Sequence, residues 1–477
     1  MLHTYGTLFY RCKLAFHLSF APDGATTISI IQAKHPYWNN VSRTIFYIIF
    51  NNITVSNGQF PFFYTKKSKN LHSNEEIRLK IFNVLKNFNT FAFGLKRITM
   101  INRDIIKTIS SYIQTGKVVL IYGSRRVGKT VLLHQLTADN SAKSSFMNGE
   151  SMDTELILAN RTISNYRQTF SGTDTLVIDE AQNIPEIGKC LKLIVDEVDG
   201  IKILASGSSS FDLQNKAGEP LVGRSTIFRL YPISVGELKQ KWSNLEIIQH
   251  LDDLLVYGSY PEIFSLDSNE KKQRYLTDLA QAYLLKDILS LDGIKNSGKM
   301  ANLLRLVAYQ VGSIVSYDEL ARQLGLSRNT VEKYLDLLTK VFILYKMPAY
   351  TINPRKEISK ACKWYFFDNG IRNALIGDFN PLSIRKDTGH LWENFLMSER
   401  IKAYNNIGKN CDLYFWRNYS QQEIDLVENV DGKLSAFEFK WASNTAKEPN
   451  DFKMNNADVP FTVVNRQNFM DFCSLDV

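Results

Sequence analysis

The chain has 477 residues, 44% of them hydrophobic and 22% charged, a composition that excludes collagen-like, fibrous and wholly disordered proteins. The net charge of +9 is concentrated in residues 1–99, which hold 12 Lys or Arg and 3 Asp or Glu, whereas residues 100–477 hold 45 of each sign. The overall charge therefore gives no reason to expect nucleic-acid binding by the main body. Five scattered cysteines without a C-x-x-C pair indicate neither a disulfide framework nor a zinc cluster.

Membrane and export signals are lacking in the sequence. No apolar run approaches the roughly 18 residues that span a bilayer. Near the amino terminus, Arg11, Lys13 and His17 interrupt the apolar residues, so no secretory signal core is formed. We therefore expect a cytoplasmic protein with no membrane partner.

Residues 1–99 differ from the rest of the chain, because they are rich in Phe and His and show no sustained helix or strand period. We expect a poorly ordered extension upstream of a translation start near Met100. The alternative is a poorly patterned accessory domain. Apolar residues at helical spacing then predict a helix over Ile101–Gln114.

A phosphate-binding loop follows a short apolar strand, Lys117–Tyr122. The loop has the pattern G-x-x-x-x-G-K-T and leads into an apolar helix start, which is the context this motif requires. Its glycines let backbone N–H groups surround phosphates, its lysine neutralises phosphate oxygens, and its threonine hydroxyl binds Mg²⁺. The nucleotide-binding residues predicted from it are Gly123, Ser124, Arg125, Arg126, Val127, Gly128, Lys129 and Thr130.

A second apolar strand, Thr175–Ile178, delivers Asp179 and Glu180 to the carboxyl end of the expected parallel sheet. We expect Asp179 to hold Mg²⁺ together with Thr130, and Glu180 to orient or deprotonate the attacking water. The alternative role for such an acidic pair is capping of a helix N-terminus. A third strand, Ile201–Ala205, leads to polar residues that could sense the γ-phosphate, and Arg224 precedes a fourth strand-like run.

The chain from about residue 100 to 477 resembles a family of bacterial and archaeal AAA-type ATPases that carry a carboxyl-terminal domain of unknown function. The resemblance implies ATP binding and hydrolysis. It implies that Ser208 is the polar sensor and that Arg224 is an arginine finger completing a neighbour's site in a homo-oligomer. A salt bridge within its own subunit is the alternative for Arg224. The matching stretches are I-Y-G-S-R-R-V-G-K-T (121–130), L-V-I-D-E-A-Q (176–182), G-S-S-S (207–210), G-R (223–224), Y-G-S-Y-P-E (257–262) and Y-L-L-K-D (283–287).

A helix-turn-helix is predicted between residues 316 and 338. An S-x-x-E capping box opens its first helix and a Gly-Leu-Ser turn precedes the second. Val331, Leu335 and Leu338 should pack inward, and Val341–Tyr350 could form a wing. The outward residues of the second helix include acids, so a packing module is the alternative to DNA recognition. The predicted outward residues are Arg328, Asn329, Glu332, Lys333 and Asp336.

The last hundred residues predict a hairpin with acidic residues on one face. Asp431-Gly432 is a strong signal for a two-residue turn, and the resulting register places Asp425 opposite Glu438. Such opposed acids become favourable when they bind a divalent cation. Lys440 shares their face, and Glu393 in a preceding helix supplies a further acid. The alternative is an amphipathic hairpin whose acidic face is simply exposed to solvent.

The order Glu393, Asp425, Glu438-x-Lys440 is similar to the D…(D/E)-x-K pattern of the restriction-endonuclease-like fold. The similarity implies that Asp425 and Glu438 bind a metal that activates water for phosphodiester cleavage, with Glu393 and Lys440 as further catalytic residues.

We therefore predict an α/β P-loop NTPase with an AAA-like parallel sheet, then a helical and winged-helix module, then an α/β restriction-endonuclease-like domain. ATP and Mg²⁺ are the expected cofactors. One predicted function is an ATPase coupled to a nuclease-like domain acting on DNA. The alternative is a nucleotide-switched regulatory ATPase whose carboxyl-terminal domain binds partners without catalysis. The predicted segments are an extension (1–99), the ATPase domain (100–235), a helical lid (236–300), the winged helix-turn-helix (301–352) and the nuclease-like domain (353–477).

Overall fold

The computed structural model of the chain falls into two compact units, residues 1–93 and 94–477. In the first unit the described residues form two antiparallel strands, β1 (Leu14–Phe20) and β2 (Thr26–Gln32). The sequence pattern had predicted no strands there. The remainder of 1–99 lies outside the described residues, so its poor order stays a prediction. The structure describes residues 14–20, 26–32, 101–138, 143–207, 221–282, 297–351 and 362–475.

The second unit opens with five parallel strands, which confirms the predicted α/β class. Two of them, β3 and β5, are buried at every residue, as a sheet covered on both faces requires. The sheet order is β4-β5-β6-β3-β7. The edge strand β4 was not predicted, because its sequence S-S-F-M-N has no continuous apolar run. The strands are β3 (Val118–Tyr122), β4 (Ser144–Asn148), β5 (Thr175–Asp179), β6 (Lys202–Gly207) and β7 (Ser225–Arg229).

Helices precede and connect these strands. The first is shorter than predicted and ends at Ser110, where two consecutive serines with low helix propensity follow the buried Ile109. The helix after the phosphate loop begins at Lys129. The helices are α1 (Ile105–Ser110), α2 (Lys129–Leu136), α3 (Met152–Ala159), α4 (Ile163–Thr169) and α5 (Ile187–Glu197).

A helical region follows and packs into the largest apolar cluster among the described residues, which also includes residues of the carboxyl-terminal sheet. The turn Y-G-S-Y-P-E continues into a short 3₁₀ helix, Pro261–Ser265. The family motif at 283–287 lies outside the described residues. The helices are α6 (Val235–Leu238), α7 (Asn244–Gln249), α8 (Leu251–Tyr257), α9 (Asn269–Ala282), α10 (Ser297–Tyr309), α11 (Tyr317–Leu324) and α12 (Arg328–Lys340).

The predicted pair of helices at 316–338 is present as α11 and α12, joined by three residues. Gly325 ends α11 with φ +59°, a left-handed conformation that suits glycine. The hydroxyl of Ser327 accepts a hydrogen bond from Thr330 N and caps α12. The expected wing contains β8 (Leu344–Pro348), which pairs antiparallel with β9 (Cys362–Phe366).

The carboxyl-terminal region is a four-stranded sheet of order β10-β11-β12-β13 packed against a long helix. The first three strands are antiparallel, and β13 runs parallel to β12. The strand β13 was not predicted. The elements are α13 (Asn369–Ile376), α14 (Thr388–Asn406), β10 (Asp412–Arg417), β11 (Glu423–Val430), β12 (Lys433–Phe439), α15 (Asn450–Asn455), β13 (Phe461–Val464) and α16 (Phe469–Cys473).

Within the described part of the chain, no helix combines the length and apolar character needed to cross a membrane. The predicted domain boundaries within 94–477 stay predictions, since that whole range forms one compact unit.

Candidate functional site

The predicted phosphate loop lies between the carboxyl end of β3 and the start of α2. Gly128 has φ +102°, which a side chain would strain. A Cβ on Gly123 would lie 2.5 Å from the carbonyl oxygen of Leu230, so only glycine fits beside the end of β7. The loop thus presents backbone N–H groups at a helix N-terminus, which is an anion-binding geometry.

Lys129 is buried in this loop. Its Nζ donates hydrogen bonds to the carbonyl oxygens of Gly123 and Ser124, at 3.0 and 3.2 Å. Its ion pair with Glu180 is longer, 3.7 Å from Nζ to Oε1. The ammonium therefore lies within the loop that would surround a phosphate.

Thr130 and Asp179 meet, as the sequence predicts for a magnesium site. The Thr130 hydroxyl donates to Asp179 Oδ2 at 2.6 Å. The other carboxylate oxygen, Oδ1, accepts a hydrogen bond from the fully buried Ser206 hydroxyl, which also accepts from Glu180 N. Ser206 therefore fixes the carboxylate orientation, a role that was not predicted. A serine at the end of β6, next to β5 in the sheet, is the signal that could have identified it.

Glu180 has a left-handed backbone, φ +52°, directly after β5. Its Oε2 accepts a hydrogen bond from Gln182 Nε2 at 2.6 Å. A Cβ on Gly149 would lie 2.4 Å from the Glu180 carbonyl oxygen, so the chain passes very close to this residue. These contacts hold Glu180 beside the phosphate loop.

Two further residues support the loop and were not predicted. Arg103, before α1, donates to Val127 O at 3.0 Å, to Tyr231 O at 2.6 Å and to the buried carboxylate of Glu237 at 2.8 Å. Tyr260 shares a buried hydrogen bond of 2.9 Å with the Ser124 hydroxyl. Both lie outside the G-x-x-x-x-G-K-T stretch.

The remaining predicted ATPase residues are spread more widely. Val127 is buried, Arg125 is half-buried, and Arg126 is exposed with φ +63° and an ion pair to Glu262 at 3.9 Å. Ser208 lies outside the described residues.

Arg224 lies at the amino-terminal ends of the parallel strands, where its backbone carbonyl accepts a hydrogen bond from Val118 N at the start of β3. Its guanidinium pairs with Asp196 at 2.7 Å. The length of β3, about 13 Å, separates this end of the strands from the phosphate loop at their carboxyl end. The structure therefore does not bring Arg224 into its own subunit's nucleotide site.

The carboxyl-terminal hairpin has the predicted register, since Val430 pairs with Lys433 and Leu426 with Phe437. Asp425 and Glu438 follow directly beyond the last of these pairs. Opposite β10, however, β11 carries one extra residue between Val427 and Ile424. This bulge places Ile424 with Val427 in a small cluster around Phe452, whereas Leu426 packs in the larger apolar cluster.

Glu393, on α14, joins Asp425 and Glu438 in one acidic cluster. Asp425 Oδ2 accepts from Phe439 N at 2.7 Å. Burial, followed by the nearby charges of Glu393 and Glu438, raises the pKa of Asp425 well above its ordinary value. The buried Oε2 of Glu438 has no hydrogen-bond partner.

Two lysines neutralise this cluster. Lys363, on β9, is almost fully buried and donates to Glu393 Oε1 at 3.1 Å and to Glu423 Oε1 at 2.5 Å. Burial alone would lower the pKa of Lys363, but the surrounding carboxylates outweigh it and raise this pKa above its ordinary value. Lys440 donates to Glu438 Oε1 at 2.6 Å. Lys363 was not predicted, because nothing in C-K-W-Y-F marks its lysine as part of a site.

The predicted metal ligands Asp425 and Glu438 are thus close together, but lysine ammonium groups already lie among the acids. Across the residues that the structure describes, no group of three or more His, Cys, Asp or Glu is arranged to hold a metal ion. The metal at this position stays a prediction.

On the helix pair at 316–338, Val331, Leu335 and Leu338 are fully buried, as predicted. The predicted outward face is exposed at four positions and half-buried at Glu332. Arg328 pairs with Asp318 at 3.3 Å. The four exposed residues are Arg328, Asn329, Lys333 and Asp336.

Comparisons with protein families agree with the site around Lys129. Residues 115–239 match the family model described as AAA domain. Residues 248–382 and 388–470 match two models described as domains of unknown function, DUF8612 and DUF4143. The geometry of the phosphate loop and the match to the AAA family model together identify residues 115–239 as an AAA-type P-loop domain.

The chain is also similar to uncharacterized proteins. One from Mycobacterium tuberculosis is 28% identical over 345 residues, covering 72% of this chain and 74% of that protein. One from Methanocaldococcus jannaschii is 24% identical over 405 residues, covering 78% of this chain and 87% of that protein.

Among solved structures, a RuvB variant from Thermotoga maritima has 16% identity and a TM-score of 0.26, covering 55% of this chain and 93% of its own. NtrX from Brucella abortus in complex with ATP has 14% identity and a TM-score of 0.23, covering 49% of this chain and 66% of NtrX.

Proposed function

We propose that this chain binds Mg-ATP at the phosphate loop and hydrolyses it. The observation that carries the proposal is the contact between Thr130 and Asp179, which places a hydroxyl and a carboxylate together beside the buried Lys129. Both are hard oxygen donors of the kind that Mg²⁺ prefers, so the residues present fit this ion. Bound Mg²⁺ would neutralise charge on the phosphate oxygens.

Each residue has a distinct part in this reaction. Lys129 neutralises the β- and γ-phosphate oxygens, and the N–H groups of the loop hold them in place. Ser206 keeps the Asp179 carboxylate turned toward Thr130. Glu180, oriented by Gln182, positions the attacking water and accepts its proton.

The test compares Lys129→Ala with Lys117→Ala, which removes the same charge at the opposite end of β3. Mg-ATP affinity is measured with a fluorescent nucleotide. We expect Lys129→Ala to weaken binding by about 100-fold or more, because a buried charge-assisted contact is lost, and Lys117→Ala to bind as wild type. Unchanged affinity in Lys129→Ala would refute the nucleotide site.

We further propose that Arg224 acts in a neighbouring subunit of a homo-oligomer, since it cannot reach its own phosphate loop. Both edge strands of the parallel sheet expose an apolar side chain, Phe146 on β4 and Ile227 on β7, which suits contact between copies. Arg224→Ala should slow hydrolysis by about 1,000-fold, whereas Asp196→Ala, which removes only its partner within the chain, should not. Equal effects of both variants would indicate a salt bridge alone. The sensor role of Ser208 stays part of the proposal.

Two candidate functions exist for the carboxyl-terminal region. Metal-dependent cleavage of DNA by Glu393, Asp425, Glu438 and Lys440 is supported by the convergence of these groups and by the unpartnered Glu438 Oε2. A noncatalytic partner-binding domain, switched by the nucleotide, is supported by Lys363, because its ammonium already lies among the carboxylates.

Cleavage of single- and double-stranded DNA with Mg²⁺ or Mn²⁺ separates these functions. A nuclease predicts cleavage by wild type and by Asp458→Ala, an exposed acid control, and none by Glu438→Ala. The switch predicts no cleavage by any of the three, with ATP-dependent partner binding or assembly instead.

DNA binding through α12 is tested separately. Arg328→Glu and Lys333→Glu should abolish DNA retention if this exposed face contacts phosphates, whereas Lys192→Glu on α5 should not. Unchanged retention would assign the helix pair to packing.

A further inference from the structure

Buried polar side chains, linked through the backbone between Ser259 and Tyr260, connect the phosphate loop to α14. We propose that Tyr260 is a positioning residue of the nucleotide site, and that Ser259 and Lys402 transmit the state of the loop to α14, the helix that carries Glu393. The inference rests on the proposed ATPase function and adds to it the route by which a nucleotide acts on the carboxyl-terminal region.

The first step is the contact between Ser124 and Tyr260. The two hydroxyls share a hydrogen bond of 2.9 Å, and both residues are buried. The carbonyl oxygen of the same Ser124 accepts from Lys129 Nζ. A bound phosphate competes for that ammonium, so the backbone at Ser124 is a place where nucleotide occupancy changes the loop. Tyr260 is in direct contact with that place.

The second step ties the Tyr260 turn to α13. Ser259 N donates to Asp368 Oδ2 at 2.7 Å. Gly258 has φ +71°, and a Cβ there would lie 2.1 Å from Asp368 Oδ1. The turn at Gly258 and Ser259 packs so closely around the Asp368 carboxylate that it cannot shift unless the start of α13 shifts with it.

The third step joins the turn to α14. Lys402 Nζ donates to Ser259 Oγ at 2.9 Å and to Glu399 Oε1 at 2.7 Å, and all these groups are buried. Glu399 Oε2 in turn accepts from Val235 N at 2.6 Å. Lys402 and Glu399 thus hold α14 against both the turn and the segment that follows β7. The buried ion pair between Lys402 and Glu399 has hydrogen-bond partners in both segments. Moving α14 relative to either segment would therefore leave a buried charge without a partner.

The last step lies within α14 itself. Glu393 is nine residues before Lys402 on one unbroken helix, about 14 Å along its axis. The neighbouring Asn394 donates to Phe366 O and accepts from Phe366 N, so this end of the helix is fixed to β9, the strand that carries Lys363. A displacement at Lys402 therefore reaches the acidic cluster through one rigid element.

The experiment measures amide hydrogen exchange of α14 over hours in the full chain, with and without saturating Mg-ATP analogue. We expect saturating nucleotide to slow exchange in wild type by about threefold or more, and to have no such effect in Ser259→Ala, whose saturation is verified by nucleotide titration. Tyr309→Phe, an exposed tyrosine on α10, should respond as wild type does. An unchanged response of α14 in Ser259→Ala would overturn the proposed route.

The positioning role of Tyr260 has its own readout in nucleotide affinity. Tyr260→Phe and Ser124→Ala should each weaken binding by about threefold to tenfold, and the double variant should be no weaker than either single one, because both remove the same hydrogen bond. Additive effects would contradict the positioning role.

These outcomes are distinct from failure of the proposed function. Wild type that binds no nucleotide would refute the ATPase. Wild type that binds nucleotide without any change in α14 would refute the inference alone.

Discussion

The phosphate loop and the acidic cluster differ in how their charges are balanced. At the loop, the buried Lys129 has backbone carbonyls as its close partners, and its carboxylate partner Glu180 is 3.7 Å away. In the acidic cluster, Lys363 pairs with Glu393 at 3.1 Å and with the adjacent Glu423 at 2.5 Å, and Lys440 pairs with Glu438 at 2.6 Å. The loop is arranged to receive an anion from outside, whereas the cluster already contains much of its own counter-charge.

This difference separates two uses of buried charge. A lysine surrounded by carbonyls gains strongly from a phosphate, so the site favours its ligand. Carboxylates that already have ammonium partners gain less from a metal ion, because binding must first displace a partner. The presence of Glu393, Asp425, Glu438 and Lys440 in one cluster is therefore weaker support for catalysis than the geometry of the loop.

The largest expected effect is on stability and concerns Lys363. Lys363→Met should lower the free energy of unfolding by about 3–5 kcal/mol, since it leaves buried carboxylates without their counter-charge. Lys433→Met, at the exposed hairpin turn, is the control and should change it little. Urea unfolding measures both. Restoration of stability by Mn²⁺ in Lys363→Met would show that the cluster can take a cation, and full stability without metal would contradict the structural role of Lys363.

The next effect is on catalysis at the loop. Glu180→Gln should lower ATP hydrolysis by about 100- to 1,000-fold with little change in nucleotide affinity, because the water loses its base while the phosphate contacts remain. The control is Glu186→Gln, an exposed glutamate six residues later that pairs with Arg161 and Lys189. Phosphate release and nucleotide binding are measured together. Undiminished hydrolysis would remove Glu180 from the mechanism.

Asp387 lies outside both sites and shows a third way of balancing a carboxylate charge, because two arginines, Arg372 and Arg385, pair with it. Burial alone would raise the pKa of Asp387, but hydrogen bonds from Arg385 and Arg372 outweigh it and lower this pKa to about 2. The ionised form stabilises the fold by about 2 kcal/mol above pH 4, and this contribution is lost as pH falls toward 2. Asp387→Asn should remove that part of the acid transition in unfolding experiments. An unchanged pH profile would contradict it.

The smallest expected effect tests the part of the loop site that is remote in sequence. Ser206→Ala should slow ATP hydrolysis by about fivefold to tenfold, since the Asp179 carboxylate loses one orienting hydrogen bond. Ser225→Ala, whose hydroxyl only contacts Leu221 O within the same segment, is the control and should not change the rate. Equal rates in all three proteins would show that Thr130 alone orients Asp179.

The sequence by itself determined those elements whose structure is specified by a few neighbouring residues. The G-x-x-x-x-G-K-T pattern, the acids at the end of β5, the helix pair at 316–338 and the Asp431-Gly432 turn each specify their structure within a few residues. Their strands and helices appear within one to three residues of the predicted bounds. The hairpin register followed from the turn alone, because a two-residue turn fixes which residues pair.

Tertiary structure alone decided the partners of these elements. Arg103 and Lys363 lie in segments that no local pattern marks, and the roles of Ser206 and Tyr260 depend on their distant partners Asp179 and Ser124. The bulge at Asp425 likewise depends on how β11 pairs with β10, so the turn between β11 and β12 could not reveal it. Long-range hydrogen bonds and the charge balance of a buried cluster depend on which distant elements pack together, and spacing along the chain does not contain that information.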